Sequence, residues 1–193
     1  MENPAEEIKQ VIQLLCTAAS PDIQKATVER YFCIDAGFRH PLCTVTSGYR
    51  SRDEILGIYQ WYRILSPKVS ITTTSVMYDA DQARIIADST QLFHIRWNIL
   101  PPAPARLITH IQLREIDGKH YISLQEDWYH PDDFMNLLVP LITPLIRAGL
   151  RAGTVSSNVL ASIFQVVFGW WRPGAGQIMH NVDGLGHPGD RHD

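Results

Sequence analysis

The residues of this chain best suited to proton chemistry stand near the end of a strand-like run, HYISLQEDWY, where Asp127 is followed by Trp128 and Tyr129. A carboxyl flanked by aromatic rings is partly desolvated, which raises its pKa and suits it to act as a base near neutral pH. The plainer role is architectural: a strand-end acid that accepts hydrogen bonds from backbone or from an arginine. The residues alone leave both roles open. Tyr59 and Tyr62 share one helical face, and core packing is the ordinary use of such a pair. Their hydroxyls still need partners, so Tyr62 is a candidate to reach a bound ligand or Asp127.

Other reactive side chains give weaker signals. If Leu107, Thr109, Ile111 and Leu113 face inward, His110 faces outward; inward Phe93, Ile95 and Trp97 likewise leave His94 and Arg96 outside. The histidines then form a solvated stripe. A shared metal is the alternative, but two imidazoles without a third clustered ligand make a poor zinc site. Cys16, Cys33 and Cys43 show no CxxC or Cys/His pattern, so no disulfide framework, metal or cofactor is expected. The odd number of thiols suggests a reducing, cytoplasmic setting. The opening MENPAEEIKQ is unlike a secretory signal or an Arg-rich transit peptide. A net charge of -3 and a pI near 6.2 supply no basic face, which argues against a nucleic-acid partner.

The positioning elements follow from periodicity. Glu6 to Ala19 carries an amphipathic stripe, and Ser20-Pro21 starts a second helix expected over Ile23 to Cys33. Gly37 to Cys43 reads as a short extended piece at an edge, because of Pro41. Ser51 and Glu54 match a capping box that opens a third helix bearing Ile55, Ile58, Tyr59, Tyr62 and Leu65. The period then becomes alternating. Val69 to Tyr78, Ala83 to Asn98, Leu107 to Ile116 and His120 to Tyr129 are four strand candidates, the last two joined by the tight turn Asp117-Gly118. Helices first and strands second imply an α+β fold, a curved antiparallel sheet with helices across one face.

This order, together with FRHP at Phe38–Pro41, the helix opening GYRSRDEI from Gly48, and the strand ending ISLQEDWYH from Ile122, resembles the nuclear transport factor 2-like superfamily. That superfamily includes SnoaL-like polyketide cyclases and ketosteroid isomerases, and the chain is most similar to its fungal SigF-like members. The resemblance covers roughly Pro4 to Phe134. It implies a cone-shaped pocket domain in which Asp127 matches the motif's acid and His40 stands where relatives often carry Asp or His. In relatives that are enzymes, an Asp or His base works with Tyr, Asp or His donors projecting into the cone. The expected lining is Tyr49, Tyr62, Phe93, Trp97, Ile111, Gln125 and Tyr129.

From Phe134 to Trp171 the only charges are Arg147 and Arg151. Pro140 and Pro144 break the first half of this segment, so it is not one straight helix. The second half ends in Trp170, Trp171 and Arg172, an aromatic-then-cationic order found at membrane interfaces. Asn158, Ser162, Gln165 and Gly169 make a narrow polar line, and the run is shorter than the ~20 apolar residues of a full span. An in-plane amphipathic helix or a shallow helical hairpin fits, with Phe164, Phe168, Trp170, Trp171 and Arg172 at the lipid surface and Arg147 and Arg151 against anionic head groups. Packing on the domain, or a homodimer interface, is the alternative.

The expected organisation is therefore a pocket domain over 1–133, a hydrophobic helical extension over 134–173 and a disordered tail over 174–193. The leading functional expectation is binding of a hydrophobic small molecule or lipid, on the surface of an intracellular membrane or lipid droplet. A cofactor-free isomerase, cyclase or dehydratase acting on a polycyclic or polyketide-like substrate, with Asp127 and His40 as acid and base, is the second. A dimeric protein-protein adaptor, which needs a filled cone, is the third.

Overall fold

A computed structural model of the protein describes residues 1–97 and 101–171. Arg172 and the stretch 174–193 therefore lie outside the described residues, as does the end of the strand expected up to Asn98. The order of elements is α1 (Pro4–Thr17), α2 (Pro21–Tyr31), β1 (Phe32–His40), β2 (Cys43–Val45), α3 (Ser51–Leu65), β3 (Ser70–Asp79), β4 (Arg84–Leu92), β5 (Pro104–Ile116), β6 (Lys119–Tyr129), α4 (Pro131–Leu138), a 3-10 turn (Pro140–Ile142) and α5 (Thr143–Val167). The chain divides into two compact units, the first being Met1–Arg147 and the second beginning at Ala148.

In the first unit the helices start as their sequences dictate. Pro4 occupies the first turn of α1, and Glu7 accepts hydrogen bonds from the backbone N–H of Glu2 (2.6 Å) and Asn3 (2.8 Å). Ser20 caps α2 by accepting from the Ile23 N–H at 3.3 Å. The capping box expected for α3 does not form. Ser51 lies inside the helix, where its hydroxyl donates to the Gly48 carbonyl at 2.9 Å, while Arg50 precedes the helix in a left-handed conformation with φ 63°.

The sheet departs from the expected meander in one important way. It has six strands in the order β2-β1-β6-β5-β4-β3, and β1 runs parallel to β6, so the sheet is mixed rather than antiparallel. Helix α2 stops at Tyr31, and Phe32–His40 becomes a full strand beside β6, not a helix tail followed by a short extended piece. Register shifts on β1/β6, β3/β4 and β5/β6 bend the strands and give the sheet its curvature. The β5–β6 turn is as expected: Asp117 (φ 51°) and Gly118 (φ 72°) both take the positive φ that a two-residue hairpin needs.

The core lies between the helices and the inner sheet face. Ile8, Val11 and Leu15 of α1, Ile55 of α3, and Phe32, Ile85, Ile111 and Ile122 of the sheet are each nearly inaccessible to solvent. The first unit continues past Asp133 because α4 buries Leu137 against Val69, Phe93 and Ala105.

The second unit holds most of α5. Pro144 does not break this helix, since it falls in the first turn, where no backbone N–H is required. Of the two forms expected, a hairpin or a single amphipathic helix, the segment takes the second, one continuous 25-residue helix. Gly169, at φ 68°, lies just past its end. No helix among the described residues is long and apolar enough to cross a membrane.

Candidate ligand cavity and active site

Successive side chains of β6 go to opposite faces of the sheet. Gln125, Asp127 and Tyr129 point into a cavity of about 570 Å³, while Glu126 engages groups on the other face. Asp127 is cross-strand to Thr109, and Gln125 to Ile111 on one side and Phe38 on the other. The cavity wall is completed by α3, the end of α4 and the segment after β4.

Asp127 is held by neutral donors. Its Oδ1 accepts from Thr109 Oγ1 at 2.9 Å, and Gln125 Nε2 donates to both carboxyl oxygens at 3.2 Å. Gln125 in turn accepts the Tyr59 hydroxyl proton at 2.9 Å. Among the described residues no cation pairs with Asp127. Burial pushes its carboxyl up to about 6 against the partial offset of Gln125 and Thr109. Glu126, one residue away, is the contrast: Arg39 binds it at 2.6 Å and His110 Nδ1 lies 3.2 Å from it.

A second chain of hydrogen bonds runs along the opposite wall. Tyr62 donates to Gln91 Oε1 at 2.6 Å, and Gln91 Nε2 donates to the Tyr129 hydroxyl at 2.8 Å. The Tyr129 oxygen is thereby used as an acceptor, and its own proton is free for a group inside the cavity. Burial holds the hydroxyls of Tyr59, Tyr62 and Tyr129 well above the ordinary tyrosine range, so all three are neutral donors. Asp127 and Tyr129 are two residues apart on one strand face, roughly 7 Å along the chain.

His40 also lines the cavity, but as a neutral ring. Its Nδ1 accepts the Leu42 N–H at 3.2 Å, and burial lowers its pKa to about 4. Nε2 then carries the hydrogen, and His40 can donate to a ligand without serving as an acid of ordinary strength.

The expected site residues divide. Tyr62, Phe93, Gln125, Tyr129, Asp127 and His40 come together around the cavity. Tyr49 does not: it precedes the Arg50 turn and is 96% exposed. Trp97 is 70% exposed, since β4 ends at Leu92 and strand alternation no longer governs residues beyond it. Ile111 faces inward but is packed in the core cluster and does not line the cavity. Tyr62 reaches Gln91 rather than Asp127. His110 faces outward as expected, but it is half-buried rather than solvated, packed between Glu126 and Trp128, whose ring centroid lies 5.5 Å from its own. Among the described residues no group of three His, Cys, Asp or Glu could hold a metal ion.

Sequence reasoning missed Gln91 and assigned Tyr59 to core packing alone. The available signal was an uncharged amide in the inward column of β4, after Ile85, Ala87 and Ser89. A polar side chain there needs a buried partner. The cavity's Cys16, whose thiol burial pushes up to about 12, gave no signal of its own.

Comparison with known proteins agrees with this fold. No curated protein matches the sequence. Among solved structures, a proposed isomerase of the SnoaL-like family from Agrobacterium tumefaciens superposes with a TM-score of 0.50 at 10% identity, over 65% of this chain and 97% of that one. A proposed scytalone dehydratase from Novosphingobium aromaticivorans does so with a TM-score of 0.50 at 12% identity, over 64% of this chain and 81% of that one. At these identities the likeness is one of fold. A sequence model described as the SigF NTF2-like domain matches residues 1–170, and the chain belongs to that family.

Proposed function

We propose that the cavity binds a mainly apolar small molecule bearing a carbonyl or hydroxyl, and that Asp127 exchanges a proton with it while Tyr129 donates to its oxygen. The observation that carries this reading is a carboxyl facing a largely apolar cavity with neutral donors alone, next to a Glu126 that has its arginine. An architectural acid gains most from a cation, whereas a base is most useful with a pKa near the working pH. Removal of a proton beside a carbonyl leaves negative charge on oxygen, which the free proton of Tyr129 can meet. His40 serves as a second neutral donor, not as the partner acid. A cavity of about 570 Å³ also disfavours the adaptor reading, which requires a filled cone.

The test uses 2-tetralone, an apolar ketone with exchangeable α-protons, in deuterated buffer with exchange followed by NMR. The full chain is expected to accelerate deuterium uptake. Asp127→Asn should slow it by about 100-fold or more, and Tyr129→Phe by roughly 10- to 1000-fold, with ligand affinity changed far less. Equal exchange by wild type and Asp127→Asn would remove the catalytic part and leave binding.

A second reading concerns the lipid surface, and α5 favours it. Leu160, Ile163, Phe164, Val166, Val167 and Phe168 are exposed, and the rings of Phe164, Phe168 and Trp170 lie 5.2 to 5.3 Å from one another. The polar side chains turn back onto the helix itself: Thr154 donates to the Leu150 carbonyl, Asn158 to that of Thr154, and Ser162 to that of Asn158. Groups satisfied within their own helix lower the cost of meeting lipid. Arg147 is bound to Asp132 at 3.0 Å, so Arg151 is the better cation for an anionic head group. Replacing Phe164, Phe168 and Trp170 together by Ser should reduce flotation with phosphatidylcholine/phosphatidylserine vesicles by about 10-fold. Unchanged flotation would end this reading.

A further inference from the structure

Helix α3 carries a glycine in its interior, Gly57 of Ser51–Leu65. Glycine weakens a helix interior relative to alanine, and close approach of another element is a common reason to find it there. No such approach exists: a Cβ built on Gly57 would meet no heavy atom within 4 Å. Nor does Gly57 adopt a positive φ, which among the described glycines is confined to Gly118 and Gly169. Local packing and backbone geometry therefore leave this residue type unexplained.

Its position supplies an explanation. Gly57 lines the cavity and is also exposed to solvent. A residue with both properties stands at the opening. Glu54 and Trp61, three residues before and four after on the same helical face, share them, Trp61 being 55% exposed. Leu42, in the turn between β1 and β2, lines the cavity as well and is 62% exposed. These four residues surround the mouth, and at its centre on the helix side there is no side chain.

We propose that the ligand enters across Gly57, between α3 and the β1–β2 turn, and that the missing side chain sets the width of this entrance. The proposal rests on the cavity being the ligand site. A side chain added at the entrance raises the barrier to passage without touching the bound ligand. Its mark is an equal slowing of association and dissociation, with Kd preserved, whereas an ordinary binding residue acts mostly on dissociation.

The experiment is stopped-flow fluorescence of the full chain with N-phenyl-1-naphthylamine, a neutral apolar probe. Gly57→Ala is expected to leave both rates within about twofold and to raise Tm by roughly 2–4 °C, because the new methyl group meets open space. Gly57→Trp is expected to slow both rates by about 10-fold or more with Kd within about threefold, and Gly57→Gln, a good helix former, by about threefold. Saturable binding with rates unchanged in the Trp and Gln variants would overturn the entrance while leaving the cavity reading intact. A shift in Kd through dissociation alone would do the same. Absence of saturable binding by the wild type would overturn both.

Discussion

Asp127 and His40 share a cavity wall, no hydrogen bond joins them, and burial moves their proton affinities in opposite senses. Asp127 has its folded pKa raised from 3.8 to about 6, so the unfolded chain releases this proton first and stability falls as pH rises through that window. His40 is lowered from 6.5 to about 4, so the unfolded chain holds the extra proton and stability rises across its window. The two slopes oppose each other in the wild type. Asp127→Asn leaves the His40 slope alone, and its urea midpoint should climb between about pH 4.5 and 6.5. His40→Phe leaves the Asp127 slope, and its midpoint should drop between about pH 4.5 and 6. Flat profiles in both variants would mean that water reaches both groups. At this scale the sequence offered Asp127 as a candidate through the family motif and its aromatic neighbours, but Tyr59 and Gln91 became candidates only when the third helix met the sheet. Their partners, Gln125 and Tyr129, lie far along the chain, and hydrogen bonds over such separations leave no local pattern.

The elements were most legible where local chemistry decides them. Asp117-Gly118 is the clearest case, because a two-residue hairpin demands positive φ at both positions and few residue pairs supply it. Gly118→Ala should therefore cost about 1–2 kcal/mol in urea unfolding, even though its Cβ would meet nothing within 4 Å. An unchanged midpoint would show that the turn relaxes to another type. Elsewhere the local signal misled. Ser51 and Glu54 have capping-box spacing, yet the preceding turn at Arg50 draws the Ser51 hydroxyl back to Gly48. Pro144 looked like a break and proved to be a start, since proline suits a first helical turn as well as it disrupts an interior.

For the whole molecule, element order was enough to indicate an α+β fold and the family resemblance implied its pocket, but neither ordered the sheet. The parallel union of β1 with β6 joins segments such as Phe38 and Gln125, which nothing in either segment announces. Parallel pairing needs a long connection, here the whole of α3 and four strands, so it is visible only once the other strands have taken their places. Strand β1, longer than expected and paired with β6, brings His40 to the cavity wall and Arg39 to the outer face, so both sides of the candidate site depend on it.

That outer ion pair has an effect on the interior it never touches. Arg39 and Glu126 are direct register partners in β1 and β6, and His110 faces Glu126 from β5. Were β6 to slide by a single position, every side chain would change sides: Glu126 would be driven among the apolar walls and Asp127 turned out to water. The salt link therefore works as a key cut on the outside of the lock, admitting the alignment that keeps the Asp127 carboxyl within.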